Sequence, residues 1–132
     1  MHLKSLSILL LGTLAVQAEI PPAAYRQMQA EAPEALQVTI DKVVTKATPV
    51  KDGTDTEVTA TATVKGVTRS ASGLKAEAII TIHYSVLHLA APMPGPSPVP
   101  VLEKGKTTVA FLKKNAQGQF SPAARGMSFT EL

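Results

Sequence analysis

The stretch Glu57–Ser70, EVTATATVKGVTRS, alternates with a period of two. Val58, Ala60, Ala62 and Val64 fall on one face, and Thr59, Thr61, Thr63 and Lys65 on the other. Successive side chains of an extended chain point to opposite sides, so this pattern demands a strand with one buried face and excludes an amphipathic helix. Gly66 falls at the next inward position, where a glycine marks a sharp bend or a close backbone approach. The most regular signal in the chain therefore predicts a strand that coils rather than lies flat.

The same period governs the chain on both sides. In LQVTIDKVVTKA, Leu36, Val38 and Ile40 point one way, and the adjacent Val43 and Val44 break the alternation, which predicts a bulge near Lys42. TPVKDGTDT reads as the turn to the second strand and SASG as the turn to the third, LKAEAIITIHYSVLHL. There Ala76, Ala78, Ile80, Ile82, Tyr84 and Val86 share a face opposite Glu77, Thr81, His83 and Ser85. Leu87 and Leu89 reverse the pattern, predicting a bend or an end near Val86. KTTVAFLKK is apolar on both sides at Val109 to Leu112, as in a strand covered on both faces. After NAQGQ, the segment FSPAARGMSFTEL offers Phe120, Met127 and Phe129 to close the sheet. Five strands with a long coiled hairpin predict a mainly all-β domain, a five-stranded Greek-key barrel like the oligonucleotide/oligosaccharide-binding (OB) fold. A small β-sandwich is the alternative, and the bends at Lys42, Gly66 and Val86 favour the barrel.

Ahead of the strands, residues 1–18, MHLKSLSILLLGTLAVQA, have a basic start at Lys4, an apolar run from Leu6 to Val16, and small residues at Val16 and Ala18, the pattern of a cleaved secretory signal. The run is about half the roughly 20 apolar residues a spanning helix needs, so no membrane anchor is expected after cleavage before Glu19. The chain has no cysteine, which removes disulfides and a lipid-modified cysteine, and a cysteine-free exported domain reads as bacterial, periplasmic or extracellular. Residues 19–35 form an N-terminal helix or arm, with a helix from about Pro22 to Glu31 that places Tyr25 and Met28 on one face. Residues 36–132 form one barrel domain with a Pro-rich loop at 90–104. The net charge of +3 drops to +2 when Lys4 leaves, and the basic residues are scattered, so no nucleic-acid partner is expected.

The run Leu102 to Ala123, LEKGKTTVAFLKKNAQGQFSPA, resembles the fourth strand and following turn of netrin-like modules, the OB-type barrels of tissue inhibitors of metalloproteinases and of small exported bacterial proteins. Leu102, Gly105, Phe111 and Leu112 occupy the places of the leucine, the glycine and the Phe-Leu strand end in that pattern. The resemblance implies the barrel. It does not carry the inhibitors' activity, because their N-terminal cysteine chelates the protease zinc and this chain has none.

Chemical motifs are sparse. GKTT at Gly105–Thr108 has the end of a phosphate-binding loop, but Pro100 stands where that loop needs its first glycine, and a strand follows where it needs a helix. His83 and His88 are five apart on one predicted strand and face opposite sides unless the strand bends, so no metal site is expected. KDGTDTE brings Asp52, Asp55 and Glu57 together over too short a stretch for a calcium loop. Ser85 lies two residues from His83 without an acid beside it in sequence to orient the base. With no tryptophan and few free aromatics, a stacking platform for bases or sugars is not expected either.

What remains is HLAAPMPGPSPVPVLEKGKTT, with five prolines from Pro92 to Pro100. Proline cannot donate to a sheet ladder, so these residues are expected outside the strands, as a stiff loop between the third and fourth. Pro92, Met93, Pro94, Pro96, Pro98 and Pro100 are the candidate partner-binding residues. The expected function is that of an exported non-catalytic module, with no cofactor, recognising a protein or cell-envelope component through its loops. The alternative is a small exported hydrolase or metal-dependent enzyme using His83, Ser85 and His88.

Overall fold

The computed structural model describes residues 20–91 and 97–132, so the expected signal at 1–18 lies outside the described residues. Helix α1 (Pro22–Glu31) is followed by β1 (Glu34–Val50), β2 (Gly53–Ser70), β3 (Ile79–Leu89), β4 (Thr107–Lys114) and β5 (Phe120–Pro122), then a short 3-10 turn at Arg125–Met127. The strands close into a barrel in the order β1-β2-β3-β5-β4, with β4 returning antiparallel to β1, Glu34 opposite Leu112 and Thr39 opposite Thr107. Strands β3 and β5 meet in parallel at Ile82 and Phe120. The all-β OB-like barrel, rather than the sandwich, is the fold.

Closure follows from the bends. The β1–β2 register shifts between Ile40 and Lys42, as the paired valines predict, and again between Ala35 and Leu36 and between Gln37 and Val38. Each extra residue bends the ladder and increases its twist, curling two long strands into a wall. The interior is filled by Val38, Ile40, Val58, Val64, Ile82 and Leu112, all essentially inaccessible, with Ala60 and Ala62 keeping the middle of β2 narrow.

Several expectations need correction. Gly66 does not point inward: the register shift puts it opposite Gln37, and a β-carbon on it would stand 3.7 Å from the Gln37 β-carbon on the outer surface. Strand β1 begins at Glu34, two residues before the alternation starts. The Glu34 carboxylate is buried but accepts hydrogen bonds from the Ser70 hydroxyl (2.5 Å), the Ser72 hydroxyl (2.9 Å) and the Ser72 amide (3.3 Å), which satisfies it. The turn expected across TPVKDGTDT shrinks to Lys51 and Asp52, because β1 pairs with β2 out to Val50 and Gly53. Strand β3 starts at Ile79, since Glu77 turns the chain with a φ of 74° and donates its amide to Val64. It then runs in unbroken register against β2 to Leu89, without the expected bend at Val86.

The helix buries Tyr25 and Gln29, with Met28 only half-buried. The Gln29 carboxamide donates to the Met127 and Thr130 carbonyls (2.9 and 2.7 Å), and Arg69 donates to the Ala32 and Gln29 carbonyls at the helix end. These bonds hold the helix and the C-terminal segment together against one end of the barrel.

Candidate functional site

Beyond Thr39, β1 loses β4 as a partner apart from the Ile40 exchange with Gly105 and Lys106, and β3 meets β5 only at Ile82. Among the described residues, the far portions of β1, β2 and β3 therefore run on past the barrel as a three-stranded arm. At about 3.3 Å per residue, Lys42 to Val50 spans about 26 Å.

Register fixes the arm's outer face. Because Ile80, Ile82, Tyr84 and Val86 are buried inward, the alternate residues His83, Ser85, Leu87 and Leu89 point outward. Four rows cross the arm: Val44, Thr59, His83; Lys46, Glu57, Ser85; Thr48, Asp55, Leu87; and Val50, Gly53, Leu89. The last two rows expose Leu87 (52%), Val50 (42%) and Leu89 (41%) together at the tip, interrupted only by Gly53 and small or acidic neighbours. The alternation registered Leu87 and Leu89 as a break. In fact both faces of this part of β3 project beyond the barrel, and an apolar side chain there has no inside to go to.

His83 and His88 do not come together. The strand stays straight in register, so His88 faces the opposite side from His83. Among the described residues no group of three or more histidine, aspartate or glutamate side chains is placed to hold a metal ion. The sheet does supply the acid that the linear sequence lacked. Glu57 stands across from Ser85, and its carboxylate oxygen is 3.7 Å from His83 Nε2. No hydrogen bond joins Ser85 to His83 among the described residues, and the Glu57 side chain is half-exposed on an open face. The group is a solvated pair beside a hydroxyl, lacking the base-to-nucleophile hydrogen bond that activates serine. Glu57 is brought to Ser85 by the β2–β3 register, across the longer connection between Ser70 and Ile79, which the linear pattern does not fix.

The phosphate-loop fragment is used by the barrel itself. Gly105 turns the chain with a φ of 88° and donates its amide to the Ile40 carbonyl, while the Ile40 amide donates to Lys106, and β4 starts at Thr107. In KDGTDTE, Asp52 occupies the turn with a φ of 65°, and Asp55 and Glu57 point outward from β2.

Of the candidate loop residues, Pro92, Met93, Pro94 and Pro96 lie outside the described residues. Pro98 and Pro100 are exposed and outside the strands, while Val99 between them packs against the core and Leu102 is buried within it. Tyr84 anchors this return of the loop. Its hydroxyl donates to the Pro100 carbonyl at 2.6 Å and accepts from the Leu102 amide at 3.1 Å, and its ring lies 6.1 Å from that of Phe129. Burial pushes the Tyr84 hydroxyl up from 10.0 to about 12, partly offset by the Leu102 amide. Gly126 lets the loop come close, since a β-carbon there would run into the Ser97 carbonyl oxygen. The segment from Ser97 to Leu102 is therefore tied to the core through Tyr84, Val99 and Leu102, with Pro98 and Pro100 exposed.

Comparison with protein-family models, with curated proteins and with solved structures finds no match to this chain. Among the described residues no helix is long and apolar enough to cross a membrane.

Proposed function

We propose that the protein is an exported, non-catalytic binding module that recognises a protein or cell-envelope component at its loop end, through the arm tip and the Pro-rich loop. The observation that carries this reading is the exposure of Val50, Leu87 and Leu89 in two adjoining rows on a sheet face beyond the barrel. Contiguous exposed apolar patches on a protein surface mark interaction sites. Strand β3 leads from Leu89 straight into the Pro-rich loop, whose exposed Pro98 and Pro100 return beside Tyr84. A rigid apolar platform next to a stiff loop needs little ordering to bind.

The hydrolase or metal-enzyme reading draws on Glu57 beside His83 and Ser85. It is the weaker, because His88 faces the other way and no hydrogen bond links serine to histidine. Export rests on residues 1–18, and the netrin-like resemblance adds the barrel without a ligand.

Affinity capture from envelope extract with the wild type and with the triple variant Val50→Glu, Leu87→Glu, Leu89→Glu tests the reading. All three positions are exposed, so the variant is expected to melt within a few degrees of the wild type. Species retained by the wild type and lost by the variant are the expected result. Identical captured sets would overturn it.

A further inference from the structure

The arm has two open sheet edges, and they differ. β1 pairs with β4 only as far as Thr39, so from Lys42 to Val50 its outer edge has no strand beside it among the described residues. That edge carries Lys42, Lys46 and Pro49, the last with no N–H to offer. Charged side chains and proline are what keep an edge from pairing with another chain. Past Ile82, where β5 meets it, the edge of β3 is open in the same way. His83–Leu89, HYSVLHL, holds no lysine, acid or proline, and its register against β2 has no bulge.

The ladder determines which backbone groups face that opening. The Val64 amide donates to the Ala78 carbonyl before β3 begins, and the Ala90 amide donates to the Asp52 carbonyl after it ends (2.8 and 2.9 Å). Bonded and non-bonded pairs alternate along an antiparallel ladder, and the β2–β3 register is unbroken between these two ends. The even-numbered residues of β3 therefore exchange bonds with β2, and Ser85, Leu87 and Leu89 turn N–H and C=O to the open side. All three are exposed, and among the described residues no loop backbone bonds to them.

We propose that two copies of this chain pair antiparallel through β3, with Leu87 opposite the partner's Leu87 and Ser85 opposite the partner's Leu89, joining the two arms into one continuous sheet. In this register the N–H and C=O of all three residues find partners. Each chain has a single unguarded edge, so association closes at two copies; growth by β3 on β1 would meet the lysines and Pro49. Like charges stay apart, since Asp55, in line with Leu87, lies three strand spacings, about 14 Å, from its twin, beyond the screening length of roughly 8–10 Å. The pairing uses the edge backbone and leaves the tip side chains on the outer face, so it widens the proposed binding surface without resting on it.

Sedimentation equilibrium of the protein purified from an exporting host tests this. The mass is expected to rise with concentration from one chain to two and no further. Leu87→Lys and Leu87→Glu each set like charges opposite one another across the twofold axis and are expected to weaken association about tenfold, while an equimolar mixture of the two restores it. Hydrogen exchange on the wild type needs no variant. The amides of Ser85, Leu87 and Leu89 are expected to gain protection as concentration rises, and those from Val43 to Ala47 to stay unchanged. A single chain at every concentration, growth beyond two, Leu87 variants that associate like the wild type, a mixture no better than either variant, or β3 edge amides insensitive to concentration would each overturn the proposal. Only purified protein is present, so such a failure leaves capture of envelope species by the arm tip untouched.

Discussion

At the scale of single residues, the polar groups inside this protein do more specific work than the apolar ones. Tyr84 joins β3 to the returning loop through both capacities of one hydroxyl, as donor to Pro100 and acceptor from Leu102. Replacing it with phenylalanine leaves a buried amide and a carbonyl without that partner, and is expected to cost about 1–3 kcal/mol in denaturant unfolding. The pH dependence has a defined sign. The unfolded tyrosine ionises near 10.0 while the folded one keeps its proton to about 12. The unfolded state thus holds fewer protons in that window, and stability falls as pH rises through it. The contribution is complete below 10 and lost above 12, so wild-type stability is expected to approach that of Tyr84→Phe across the interval. Equilibrium unfolding at a series of alkaline pH values measures the convergence. Glu34 and Gln29 show why such residues escape a reading of periodicity: each is buried because a distant partner satisfies it, Ser70 and Ser72 for one and the Met127 and Thr130 carbonyls for the other.

At the scale of elements, the breaks in alternation at Lys42, Gly66 and Val86 predict coiled strands and barrel closure; the ladder does shift register at Lys42 and beside Gly66, while β3 runs through Val86 without a break. They could not locate the arm. Period two distinguishes inside from outside only where the barrel has an inside, and past Val43 the exposed residues of β1 belong to both faces. Leu87 and Leu89 therefore read as a bend when they are an uninterrupted continuation. The inward placement of Gly66 failed for a related reason, since one extra residue in the β1–β2 ladder moves everything after it to the other face. The Glu57–His83 contact depends on register across the hairpin, which no local pattern carries. That register is held at Gly53, where a β-carbon would run into the His88 carbonyl oxygen of β3. Gly53→Ala is expected to destabilise the arm by about 1–3 kcal/mol. Hydrogen exchange should localise the loss to amides of residues 44–58 and 83–89, leaving the Leu36–Ile40 ladder protected.

At the scale of the whole molecule, closure joins parts far apart in sequence, with β1 against β4 and Gln29 against Thr130, while β1, β2 and β3 form a simple meander. Cleavage of residues 1–18 would remove nothing from this described framework. Terminal sequencing of the protein recovered from an exporting host is expected to begin at Glu19, and recovery of Met1 in the secreted fraction would contradict the signal reading.

The hydrogen bonds from Gln29 to residues 127 and 130 also give the molecule a polarity. The chain on the Ile20 side and the chain on the Thr130 side meet at the helix, where β1 begins, while the apolar tip lies where β1 ends. A support, a label or a surface attached through either side consequently holds the protein by its closed end and presents Val50, Leu87 and Leu89 outward, as a handle presents a blade.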